Sequence, residues 1–154
     1  MIVEPWSAEH AHTVMTWHYE PPYDFYDMAS DPGDAADLLD HPGRYRAVLA
    51  PDGSLSGFWS FRPDGEEVEV GLGLRPELTG RGLGEPFARA ALDYAREEWS
   101  PKRFRLYVAA WNARAIRVYE RLGFREVARQ TRRFELVGEH EFVEMELDAT
   151  RLAR

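Results

Sequence analysis

The chain has 154 residues, no cysteine and a formal net charge of −8, with 44% hydrophobic and 13% aromatic residues. That size and apolar share fit one globular domain over 1–154 with its own core, and the lack of cysteine excludes disulfides, thiolate metal sites and a cysteine nucleophile. The negative charge argues against a nucleic-acid binder and suits a cationic partner, and with no run of ~18 apolar residues and no signal-peptide start the chain is expected in the cytoplasm, off the membrane.

"MIVEPW" reads as a first strand closed by Pro5. Ser7 is placed to cap a short helix, "SAEHAHTVMTW", in which Ala11, Val14 and Met15 share a face. The aromatic, proline-rich stretch "HYEPPYDFYDM" has no clear period. A second short helix follows near "GDAADLLD", stopped by His41-Pro42-Gly43. "YRAVLA" and "SLSGFWSF" flank the turn signal Pro51-Asp52-Gly53, and "RPDGEE" turns the chain again into "VEVGLGL". After the glycine cluster "TGRGLG", Leu83, Phe87, Ala91 and Ala95 recur every four residues and predict an amphipathic helix to about Glu98. "FRLYVA" is a further strand. "WNARAIRVYERLGF" predicts a helix capped by Asn112, striped by Ala115, Ile116, Tyr119 and Leu122, and stopped by Gly123. A last hairpin turns at Gly138-Glu139, with Val143, Met145 and Leu147 on one side and Glu144 and Glu146 on the other. The basic run "RQTRRF" within it reads as solvated charge on a sheet edge. The order predicts an α/β fold with a mixed, mainly antiparallel sheet of about six to seven strands and about four helices.

No metal is expected. His10 and His12 lie two apart, on opposite helix faces, and His18, His41 and His140 are isolated in sequence. The glycines are the informative feature. An apolar strand running into a glycine-rich loop, with Gly80, Gly82 and Gly84, and then into a helix start leaves backbone N–H groups unpaired, adds the helix dipole, and removes the Cβ atoms that would keep an anion off. Arg81 adds a charge. A flexible packing turn uses the same residues. No Lys-Ser/Thr follows the last glycine and antiparallel hairpins precede it, so neither a P-loop nor a Rossmann repeat is present.

"VEVGLGLRPELTGRGLGEPFARAALDYA" followed by "LYVAAWNARAIRVYERLGF" resembles the two signature segments of the GNAT acyltransferase superfamily, and the likeness runs through the whole chain in order of elements. The first resembles its acyl-CoA pyrophosphate loop, with Thr79 standing where the motif has Gln or Arg. The second resembles its Asn…Ala…Tyr…Gly-Phe helix. This implies a sheet splayed at the cofactor site, a diphosphate held at Thr79, Gly80, Arg81, Gly82, Leu83 and Gly84, and a pantetheine arm along Leu72, Gly73 and Leu74. Asn112 and Tyr119 would also reach acetyl-CoA, the co-substrate. Gly71 and Gly73 fit close approach of a ligand, or a plain bulge. The resemblance implies direct transfer of an acetyl group to an amine, with Tyr119 protonating the departing sulfur and Glu69 as base, or a water relay in its place.

In such folds the first two helices and their connection build the acceptor side. Here that places Trp17, Tyr19, Glu20, Tyr23, Asp24 and Tyr26 around a cationic amine. Set against that, their aromatic rings serve equally to pin the loop to the core. A small-molecule amine is the expected acceptor; a peptide α-amine or lysine, or a sensor without turnover, are the alternatives. Exposed strands at the C-terminal end offer edges for a homodimer.

Overall fold

In the computed structural model, which describes residues 1–28 and 31–152, each predicted element forms close to where its pattern placed it. β1 (Ile2–Pro5) leads to α1 (Ala8–Met15), where Ser7 and His10 make a reciprocal cap. α2 (Pro32–Asp40) starts earlier than expected, because Asp31 caps it and Pro32 fits the first turn. Then come β2 (Tyr45–Leu49), β3 (Leu55–Asp64) and β4 (Glu67–Leu74), joined at Gly53 and Gly65, both with positive φ. α3 (Gly84–Trp99), β5 (Arg103–Ala109), α4 (Ala113–Leu122), β6 (Arg125–Phe134) and β7 (Gly138–Asp148) complete the order. The strands make a seven-stranded mixed sheet, β1-β2-β3-β4-β5-β7-β6. β1 runs antiparallel to β2 and β7 antiparallel to β5, whereas β4 and β5 are parallel, with Glu67–Glu69 in register with Arg103–Arg105. Among the described residues no helix is long and apolar enough to cross a membrane.

The chain groups into two compact units. The first comprises residues 1–59, 72–79 and 133–138. Its core joins Trp6, Ala11, Val14, Trp17, Leu38, Tyr45 and Phe58, and Trp6 donates its indole N–H to the Leu38 carbonyl at 2.9 Å. The Phe58 ring lies 5.8 Å from Trp6, 6.4 Å from Trp17 and 6.0 Å from Tyr45.

The second comprises residues 60–71, 80–132 and 139–154. Alternation places Val68 and Val70 of β4, Phe104, Leu106 and Val108 of β5, and Val143, Met145 and Leu147 of β7 in its interior. α3 buries Phe87, Ala88, Ala91, Leu92 and Ala95. Leu83, expected in that stripe, is instead exposed, since it precedes the first helical residue and its side chain misses the buried face. In α4 the predicted stripe is only half-buried; Asn112 accepts from Ala115 N–H at 3.2 Å, and Gly123, at φ 107°, ends the helix.

Candidate functional site

The glycine loop lies wholly in the second unit from Gly80 onward. Gly80 and Gly82 sit at φ 72° and 74°, a conformation that a side chain disfavours. Among the described residues the N–H groups of Gly80, Arg81, Gly82, Leu83, Gly84 and Glu85 donate to no protein acceptor; the first bonded amide is Phe87, to the Leu83 carbonyl at 3.0 Å. Unpaired amides at a helix start are the physical makings of an anion cradle. α4 lies along this loop. A Cβ at Gly80 would come within 3.8 Å of Arg114 Nη1 and one at Gly84 within 3.8 Å of the Val118 methyl, while Arg121 Nε meets Glu85 at 3.3 Å. Arg81 is exposed and has no acidic partner among the described residues. Two guanidinium groups therefore stand at the cradle: Arg81, expected from sequence, and Arg114, which was missed because its approach depends on how α4 packs.

Thr79 belongs to the preceding turn. Its N–H and hydroxyl both go to the Pro76 carbonyl, at 3.1 and 2.6 Å. The donors of the cradle thus begin at Gly80. The glycines of β4 have protein neighbours too: a Cβ at Gly71 would collide with Ser60 Oγ and one at Gly73 with the Phe58 ring. Close packing against β3 accounts for both without a bulge.

Tyr119 is half-buried, its ring 5.9 Å from that of Phe124 in an edge-on contact. Asn112 is buried at the start of the same helix. On the polar side of β4, β5 and β7, Arg105 holds three carboxylates: Glu67 through two bonds of 2.9 Å, Glu144 at 2.6 Å and Glu146 at 3.1 Å. The hydrogen bond from Arg105, reinforced by the charges of Arg105 and Arg103, outweighs partial burial and holds the Glu67 carboxyl below its ordinary range. Glu69, directly in register with Arg105, has no hydrogen bond or ion pair among the described residues. Arg132 lies 4.6 Å from the Tyr107 ring centre and 4.9 Å from that of Phe142, and Arg129 pairs with Glu126 and Glu141. The basic run on β6 is therefore more than solvated edge charge.

A family model, that of the acetyltransferase (GNAT) family, matches residues 8–124, a span covering the loop and the Asn112–Gly123 helix. The chain belongs to this family. Among its relatives, the streptothricin acetyltransferase of Streptomyces lavendulae is 36% identical over 105 residues, 64% of this chain and 53% of that protein. A mycothiol acetyltransferase of Saccharopolyspora erythraea is 32% identical over 80% of this chain and 40% of its own length. The chain thus spans about half, or less, of these curated relatives. Solved structures share the fold. A spermidine N-acetyltransferase from Vibrio cholerae in complex with CoA and spermine superposes with a TM-score of 0.70 at 19% identity, over 97% of this chain and 96% of that one. A GNAT-family acetyltransferase from Bacillus anthracis gives 0.73 at 16%, over 97% and 95%.

In this GNAT chain the residues expected on the acceptor side fall into different roles, all within the first unit. Trp17 is a core residue stacked on Phe58, so its ring serves packing. Tyr19 is anchored at both ends: its N–H goes to Asp27 at 2.9 Å and its hydroxyl to the Leu74 carbonyl at 2.6 Å. Burial, with the charges of Asp27 and Glu77 adding, pushes its phenol well above the ordinary range, so it stays a donor. Glu20 is exposed, and Tyr23, Asp24 and Tyr26 are half-buried in a short 3₁₀ turn, where Phe25 meets Tyr26 and, edge-on at 5.2 Å, Phe134. His18, isolated in sequence, pairs through Nδ1 with the buried Asp27. Asp27, a carboxylate of the aromatic stretch, organises this loop by holding both His18 and the Tyr19 N–H. Among the described residues no cluster of three or more His, Cys, Asp or Glu side chains is arranged to hold a metal.

Proposed function

We propose that the protein transfers an acetyl group from acetyl-CoA to a primary amine of a small molecule, directly and within one ternary complex. The observation that carries this reading is the run of unpaired amides from Gly80 to Glu85, opened by two glycines with positive φ and flanked by Arg81 and Arg114. A diphosphate fits that donor set by charge and by chemistry, and binding it at a fixed point orients whatever is attached. Acetyl-CoA supplies, when bound, an acetyl group already activated as a thioester. The chain supplies the proton handling. Glu69, the carboxylate that Arg105 leaves uncommitted, would take one proton from the incoming ammonium; as the nitrogen–carbonyl bond forms and the carbon–sulfur bond breaks, Tyr119 would give its hydroxyl proton to the leaving sulfur and recover one from the nitrogen by way of water, with the proton on Glu69 released to solvent. Glu67 is unsuited to the base role because Arg105 engages both of its oxygens and holds its carboxyl below the ordinary range, which makes it a weaker base. A small-molecule acceptor is supported by the names of the relatives, a streptothricin acetyltransferase and a mycothiol acetyltransferase, and by the spermidine N-acetyltransferase structure in complex with CoA and spermine.

Calorimetry with CoA, together with thiol release from acetyl-CoA across a panel of small amines and peptides, tests the reading. Gly82→Pro is the decisive variant. Proline cannot adopt φ near 74° and deletes one donor. CoA affinity is expected to fall at least about tenfold, the equivalent of roughly 1.4 kcal/mol, with some loss of melting temperature as the loop leaves its native backbone but with the cooperative unfolding transition retained. Absence of heat with the parent protein, or unchanged affinity in the variant, overturns the assignment.

A further inference from the structure

Asp27 plays no part in the reading above, yet it is a carboxylate only 6% exposed, and such a group persists in an interior where its oxygens are bonded. One oxygen accepts the Tyr19 N–H at 2.9 Å and the other pairs with His18 Nδ1. The Asp27 N–H goes in turn to the Asp24 carbonyl at 3.1 Å, at the end of the 3₁₀ turn. Asp27 thus ties the two ends of the stretch 18–27 together. From there the Tyr19 side chain reaches a residue 55 positions away, donating its hydroxyl to the carbonyl of Leu74, the last residue of β4, at 2.6 Å. Two further contacts hold the same stretch: Trp17 stacks on Phe58 at 6.4 Å, and Phe25 meets Phe134 edge-on at 5.2 Å. All of these residues belong to the first unit. The segment is therefore an anchored wall, and the Tyr19 proton that could have met a substrate is committed to Leu74.

We propose that Asp27, acting through Tyr19, is a positioning residue of the acyl transfer: it holds segment 17–27 in register with the end of β4 and so sets how the amine approaches the thioester. The inference rests on the acyl-transfer reading, in which the pantetheine arm lies along Leu72, Gly73 and Leu74 and the connection after α1 builds the acceptor side. The tether acts on geometry, so it governs kcat more than cofactor affinity, which is set by the cradle from Gly80 onward. A misplacement of about 1 Å costs on the order of 100-fold in rate, and loss of one tether from a segment still held at Trp17 and Phe25 is expected to cost about tenfold.

Tyr19→Phe keeps the ring and removes only the hydroxyl. Asp27→Ala removes both carboxylate contacts, whereas Asp27→Asn restores an oxygen for the Tyr19 N–H and offers an amide to His18. Turnover of acetyl-CoA is measured well below each melting temperature, with the acceptor that reacts fastest in the panel of small amines and peptides. Calorimetry with CoA and amide hydrogen exchange over residues 17–27 accompany it. Tyr19→Phe and Asp27→Ala are expected to lower kcat about tenfold, keep CoA affinity within about twofold and speed exchange in the segment. Asp27→Asn is expected to recover kcat and protection together. A kcat for Tyr19→Phe within about twofold of the parent overturns the proposal, as does a CoA affinity that falls by the same factor as kcat, the mark of a general loosening. Should Asp27→Ala fail to fold, Tyr19→Phe and Asp27→Asn decide by the same criteria. A parent that gives no heat with CoA and no thiol release with any acceptor overturns the acyl-transfer reading itself.

Discussion

Arg105 gathers Glu67, Glu144 and Glu146 on a face where only partial burial is available, with side-chain exposures of 19% for the arginine and 21–22% for the acids. Without it, three carboxylates would face one another at sheet spacing. Arg105→Met should therefore destabilise the fold at neutral pH by about 2 kcal/mol, below the roughly 3–5 typical of stranding a fully buried charge. The pH dependence has a definite sign. Glu67 titrates lower in the folded protein than in the unfolded chain, so its contribution is complete above the unfolded value near 4.3 and disappears as pH falls through the lower, folded one. In Arg105→Met the same acidification removes a repulsion. Urea unfolding at pH 7 and near pH 3 should show the gap between the two proteins narrowing sharply at the acid end; a constant gap would show that the network contributes nothing electrostatic.

At the scale of elements, β4 shows how one strand serves both core and site. Its middle glycines make room for Ser60 and Phe58, and Phe58 in turn touches Trp6, Trp17 and Tyr45. Gly73→Ala places a methyl group in the Phe58 ring, and overpacking of this kind costs about 1–3 kcal/mol. The double variant Gly73→Ala, Phe58→Leu should recover part of that loss in a thermal-melt cycle; strict additivity would mean that the two positions do not share space. Local pattern explains why the element order could be read in advance. Positive-φ glycines, capping residues such as Ser7 and Asn112, and the buried alternation of β7 each act within a few residues. The sharp turns at Gly80 and Gly82 were legible for the same reason. The partners of Arg105, 38 to 41 residues away, were not, nor was the approach of Arg114 to Gly80. Strand register and helix packing decide those, and a single sequence does not encode them locally. The His18–Asp27 pair is closer in sequence but spans an irregular turn with no period to read.

For the molecule as a whole, the net charge of −8 sets opposite conditions for the two ligands proposed here. A cationic amine is drawn in by the general field, whereas an anionic nucleotide is repelled and must be held by local groups. Arg81, Arg114 and the amides of 80–85 are such groups, concentrated at one helix start. Screening discriminates between the two cases by distance. At 0.1 M salt the Debye length is about 10 Å, so contacts at the cradle are weakened only modestly, while the attraction and repulsion exerted by remote carboxylates are nearly lost at higher salt. Raising salt from about 20 mM to about 500 mM should therefore raise the KM for a cationic amine several-fold and change CoA affinity by a smaller factor, since weaker local contacts are offset by weaker general repulsion. Kinetics with one amine at four salt concentrations, beside calorimetry with CoA, would check this. A CoA affinity falling as steeply as amine KM rises would place the anion on an open basic surface and away from a cradle of fixed amides.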